Sequence, residues 1–166
     1  MKRFAVLCLT LVMALSLVAC GGGNNNDGGA VNPTDPIVLD LPAIYEKMTQ
    51  AATMAEMYEM DADLMLALYG LQAEDMKQFV VMGCAEPLLA DEVWLIEAVD
   101  AAAAERIKTL ANACLEQKDA VSETYSPEQN AVVKKAQLLQ QGNYIALIVS
   151  PNVEALAQVF RTEAGL

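Results

Sequence analysis

From residue 37 onward, apolar positions recur with periods that alternate between helical and extended spacing. Leu41, Ile44, Tyr45, Met48 and Ala52 step by three and four, one face of a helix. Asp40 stands where its cap belongs, and Pro42 lies in the first turn, where a missing N–H costs nothing. Asp61 caps a second short helix through Leu64, Met65, Leu68 and Tyr69, and Gly70 ends it in the left-handed conformation. Phe79 to Met82, bounded by Gly83, reads as a strand, and Val93 to Ala98 as another. The loop at residues 85 to 91, which contains Pro87, is short enough to make them a hairpin.

The longest helix is predicted over residues 101–124. Ile107, Leu110, Ala111, Cys114, Lys118, Val121 and Tyr125 form its inward stripe, with Lys118 the one charged position. Ser126-Pro127-Glu128-Gln129 then starts a fresh helix to about Lys135, with Gln129 able to bond back to the cap. Ala136 to Gln141 and Tyr144 to Val149 flank Gly142-Asn143, a hairpin pattern. Ser150-Pro151 repeats the cap-plus-proline device before a last helix with Val153, Leu156, Ala157 and Phe160 inward. The order α-α-β-β-α-α-β-β-α predicts an α+β domain: a four-stranded antiparallel sheet of two hairpins with packed helices.

The strands are apolar on both faces. Tyr144, Ala146 and Ile148 lie on one, Ile145, Leu147 and Val149 on the other, and Val93 and Leu95 oppose Trp94 and Ile96. A sheet with one wet face alternates. Something therefore covers the second face: the N-terminal helices (41 to 70), a protein partner, or a second copy in a homodimer.

The first twenty residues are of another kind. Lys2 and Arg3 precede an apolar run from Phe4 to Ala19 broken only by Thr10 and Ser16, the layout of a secretory signal. Its length as a helix is about 24 Å, short of the ~30 Å hydrocarbon core. The ending Leu17-Val18-Ala19-Cys20 resembles a bacterial lipoprotein signal. The resemblance implies a cleaved signal peptide over 1–19, a lipid on Cys20, and a protein held at the extracytoplasmic side of the cell membrane. Residues 20–36 then carry the lipid and a Gly/Asn tether, which spans about 20 to 24 Å as a random coil. A single α+β domain occupies 37–166.

Charge narrows the partners. Losing residues 1–19 leaves eight Lys and Arg against 22 Asp and Glu, a balance of −14. Such a surface is repelled by phosphate backbones and anionic headgroups, so nucleic acid is excluded and the membrane is reached through the lipid on Cys20. The chain has no histidine, which rules out Ser-His-Asp and Cys-His sites and removes the commonest metal ligand. Carboxylate, lysine and thiol chemistry stay open, but no catalytic residue and no cofactor-binding residue is marked.

Two cysteines remain after Cys8 and Cys20. Compartment argues for a Cys84–Cys114 disulfide. A helix packed on a sheet usually lies too far away for one, and that argues for two buried thiols.

Three other constellations are weighed and yield no metal site. Seven methionines from Met48 to Met82 could offer thioethers to Cu(I), but no histidine or cysteine joins them locally, and methionine fills core gaps. Glu56, Glu59 and Asp63 sit at helical spacing, which does not converge on Ca²⁺ as a loop does. Asp91-Glu92 opens a strand, where neighbours point to opposite faces, so the pair reads as a polar turn. Glu92 is the first of them to mutate.

Tyr69-Gly70-Leu71, the acids after it and Phe79-Val80-Val81; Ala90-Asp91-Glu92-Val93; and Gly142-Asn143-Tyr144 before an apolar strand ending at Ser150 together resemble a family of small Gram-positive bacterial lipoproteins defined by a domain of unknown function. The resemblance spans about residues 41 to 162 and carries no assigned active site. The expected function is a non-enzymatic recognition or accessory module with a protein partner. The alternatives are a lipoprotein binding a small ligand or metal, and a carboxylate- or thiol-dependent enzyme.

Overall fold

The computed structural model describes residues 37–166; the signal, Cys20 and the tether at 1–36 lie outside the described residues. The chain runs α1 (Leu41–Ala51), β1 (Met57–Glu59), α2 (Ala62–Tyr69), a 3₁₀ turn (Ala73–Asp75), β2 (Met76–Cys84), β3 (Glu92–Ala98), α3 (Ala101–Tyr125), α4 (Pro127–Val133), β4 (Gln137–Gln141), β5 (Tyr144–Val149) and α5 (Val153–Ala164). The caps act as their chemistry requires. Asp40 accepts from the Ala43 N–H at 3.1 Å and Asp61 from that of Leu64 at 2.8 Å. Gly70 closes α2 at φ 75°.

The fold is α+β, but the antiparallel sheet has five strands rather than four, in the order β1-β2-β3-β5-β4. The extra edge strand is only three residues long, too short for a period to declare itself. It pairs Met57 with Cys84 and Glu59 with Met82, so β2 runs on through Gly83 instead of stopping there. Gly83 serves close approach: a Cβ on it would lie 2.3 Å from the Met60 methyl and 2.9 Å from the Tyr58 ring. Glu59 therefore sits on a strand, Asp63 on α2 and Glu56 between α1 and β1, so the three acids share no helix face.

Both faces of the sheet are buried. Val81, Trp94, Ile96, Ile145, Leu147 and Val149 pack against Met65 of α2 and Ala103, Ala104, Ile107, Ala111 and Cys114 of α3. On the other side Val80, Val93, Leu95, Tyr144, Ala146 and Ile148 meet α1 and α5. The second face is thus covered from within the chain, by α1 and α5, while α2 joins the opposite layer. Met48, Met60, Met65 and Met76 are buried among these apolar groups. The final helix begins two residues later than its cap pattern predicts: the Ser150 hydroxyl accepts from the Asn152 N–H at 3.2 Å, and Asn152 occupies the cap position. Among the described residues no helix is long and apolar enough to cross a membrane.

Candidate functional site

α3 is 25 residues long, about 37 Å at 1.5 Å per residue, whereas β3 with seven residues spans about 23 Å. The helix therefore overshoots the sheet. Its first half buries Ile107, Ala111 and Cys114, but beyond Lys118 the predicted inward stripe has no sheet to meet. Val121 is 55% and Tyr125 83% exposed, a correction to the sequence reading with a geometric cause.

This overshoot, the end of α2, the β2–β3 loop and the start of α4 enclose a groove of about 590 Å³. Leu68, Leu88, Leu89, Val121 and Tyr125 form its apolar walls, and Tyr69, Cys114, Lys118, Ser122 and Gln129 supply polar atoms lower down. No carboxylate lines it. The loop wall is pinned from both sides. Gln129 Oε1 accepts from the Ala90 N–H at 2.9 Å, and Lys118 Nζ donates to the Ala90 carbonyl at 3.1 Å. The Gln129 side chain holds the loop instead of bonding back to its own cap, while the Ser126 hydroxyl accepts from the Gln129 N–H.

Below the groove lies a buried polar cluster centred on Glu92, which is 2% exposed. Its carboxylate meets Lys118 Nζ at 2.7 Å and accepts from the Trp94 indole N–H. The Cys114 thiol donates to it at 3.7 Å, and the Tyr69 hydroxyl lies near it. The Tyr69 ring leans on Trp94, centroids 4.8 Å apart and planes 56° apart. The cluster has a local logic. Glu92 and Trp94 are two apart on β3 and face the same side, and Cys114 and Lys118 are one helical turn apart on α3. A lysine in an apolar stripe was the available signal, because a cation on an inward face needs a buried carboxylate.

Neither Asp91 nor Glu92 belongs to an exposed polar turn: both are buried. Burial pushes the Asp91 carboxyl up, against hydrogen bonds from its own backbone and Ser150 and the charge of Lys118. Burial, with the negative charge of Glu92 adding and the positive charge of Lys118 opposing, pushes the Cys114 thiol up to about 12. Burial and Glu92 likewise raise the Tyr69 hydroxyl far above its ordinary value. Both groups therefore keep their protons at neutral pH, and the thiol is no nucleophile there. On the far side of the domain, Arg106 grips Asp75 with two hydrogen bonds and holds its carboxyl below the usual range.

Cys114 lies at the groove floor, while Cys84 ends β2 opposite Met57; both are free thiols in the structure. Among the described residues no three His, Cys, Asp or Glu side chains gather as metal ligands. Residues 46–150 match the family described as a domain of unknown function, DUF4358, so the chain belongs to that family. No curated protein and no solved structure matches the chain.

Proposed function

We propose that this member of the DUF4358 family is a lipid-anchored binding module at the extracytoplasmic face of the cell membrane, and that the groove is its binding site. The anchoring half of the reading rests on the Leu17-to-Cys20 ending and the tether pattern after it, and it matches the Gram-positive lipoproteins that the sequence resembles. The binding half is carried by one observation. Of the eleven large apolar side chains exposed among the described residues, five (Leu68, Leu88, Leu89, Val121 and Tyr125) converge on this groove. Scattered exposed apolar residues need no explanation, but a concentrated set marks a contact surface.

Its position supports the same reading. The domain begins at Ile37, which lies beside Glu97 and Tyr144, and the Leu39 N–H donates to the Tyr144 hydroxyl. Those groups mark one end of β3; Glu92 and the groove mark the other, about 17 Å along the strand. A tether entering at Ile37 joins the domain at the end away from the groove.

A non-enzymatic role is supported by the acid–base state of the cluster. Glu92 is sealed beneath the groove and the Cys114 thiol is protonated, so the groove offers neither an open carboxylate nor a thiolate. The test is binding of a neutral solvatochromic dye to the chain from residue 37. Leu88→Glu and Val121→Glu should each abolish the blue-shifted emission, while Val38→Glu, at an equally exposed apolar residue elsewhere, should leave it unchanged. Emission that survives both groove substitutions rejects the site.

A further inference from the structure

We infer that the occupant of the groove is a cationic, amphipathic segment of a partner protein; this rests on the groove being the binding site. Size comes first. Leu88 is 85% and Tyr125 83% exposed, so these walls rise above the cavity instead of being enclosed by it. A molecule confined to about 590 Å³ leaves both side chains wet. Only an occupant that lies across the groove and reaches beyond it covers them. A helix laid into a groove by apolar side chains at i, i+3/i+4 and i+7 has that shape.

Charge selects the partner's polar face. The lysine at the groove, Lys118, is already committed to Glu92 at 2.7 Å, so the floor is neutral and does not call for an anion. The rim is acidic. Glu86 and Glu128 are the immediate neighbours of groove-lining Pro87 and Gln129, both are exposed, and neither has a cation partner among the described residues, whereas Glu116 and Glu123 lie half a turn from Cys114, Val121 and Tyr125 and face away from the groove. Two uncompensated carboxylates beside an apolar trough, on an acidic domain, attract Lys and Arg flanking an apolar stripe. The same charge disfavours the competitors. A second copy brings eight cations and twenty acids of its own over residues 37–166, a balance of −12. An anionic bilayer is repelled, and the groove lies at the end of the domain opposite Ile37. Lys118 adds a specific anchor. Two of its three N–H groups are used, on Ala90 and Glu92, and the third is open to a carbonyl of the segment.

The experiment uses the processed, lipidated chain in zwitterionic nanodiscs and labelled synthetic peptides of leucine and lysine in helical period, with empty nanodiscs as the blank. Three peptides are compared: the Leu/Lys peptide, its Leu/Glu counterpart, and a shuffled Leu/Lys peptide without an apolar face. The Leu/Lys peptide should bind, and at least about tenfold more weakly once salt screens the rim. The other two should not bind. Leu88→Glu and Val121→Glu should abolish binding even though they make the rim more acidic, an outcome that non-specific attraction cannot give. The double change Glu86→Gln with Glu128→Gln should weaken binding and flatten its salt dependence.

Equal binding of the Leu/Glu or shuffled peptide overturns the inference, and so does binding that survives Val121→Glu. If no peptide binds while the dye still does, this inference falls and the groove reading stands. If the dye fails too, both fall. A chain that self-associates through the groove in sedimentation, with association lost in Val121→Glu, makes the occupant a second copy and equally overturns the inference.

Discussion

Lys118→Met isolates the ion pair on which the groove floor is built. In the wild type the Glu92 carboxylate is 2% exposed and its one cationic partner sits 2.7 Å away. Methionine keeps much of the volume and apolar stem of lysine but removes the charge. Glu92 is then left with the Trp94 N–H and the Cys114 thiol, both neutral donors. Breaking a buried pair by removing one partner costs about 3–5 kcal/mol, because the remaining charge stays desolvated. The Lys118 bond to the Ala90 carbonyl goes with it, which loosens the groove wall.

Glu92→Gln should cost less, about 1–2 kcal/mol, because Lys118 is 23% exposed and its ammonium reaches water. The decisive variant is the double one. Lys118→Met with Glu92→Gln should be more stable than Lys118→Met alone, a coupling of more than about 1 kcal/mol. Urea unfolding of the chain from residue 37 measures all three. With m of about 2 kcal/mol/M, Lys118→Met should lower the midpoint by roughly 1.5–2.5 M. A loss below about 1 kcal/mol, or a double mutant at the sum of the singles, would refute the claim that Glu92 depends on Lys118.

Alkaline pH should destabilise the domain. The folded Cys114 thiol is raised from its ordinary 9.0 to about 12, so above pH 9 the unfolded chain releases this proton first. The stability that the raised value contributes is complete below pH 9 and is lost as pH rises toward 12, by up to about 1.4 kcal/mol per pH unit. Tyr69 acts in the same direction above its ordinary 10.0. Cys114→Ala should flatten the fall measured by urea titration between pH 8 and pH 10, and an unchanged slope would assign it elsewhere. Gly83→Ala should cost about 1–2 kcal/mol, since the new methyl collides with Met60, which is buried and has little room to yield; an unchanged melting midpoint rejects the close-approach account. Thiol titration of the denatured domain after non-reducing purification should find both Cys84 and Cys114 free, and finding none would mean a bridge. Cys20→Ala should abolish metabolic labelling by a lipid probe; equal label on mutant and wild type sinks the anchor.

What the sequence determined by itself is what local chemistry dictates. Asp40, Asp61 and Ser126 cap helices because a short oxygen-bearing side chain can reach the free N–H groups of the first turn. Gly70 ends α2 because glycine alone enters the left-handed region freely. The two-sided apolar pattern of β3 and β5 required a sheet covered on both faces, and it is covered. Tertiary structure decided the rest. Three-residue β1 exists only because the free edge of β2 takes it up, and no period in Met57–Glu59 declares it. α1 and α5, far apart in the chain, share one face of the sheet while α2 goes to the other, since layer choice depends on the crossing order of the strands. The groove arises from a length mismatch between α3 and the sheet: helical spacing placed Val121 and Tyr125 on the inward stripe, but it could not show that the sheet stops short of them. For the same reason Asp91-Glu92 reads as a polar turn until Lys118, twenty-six residues further on, is brought against Glu92 and the pair can be buried.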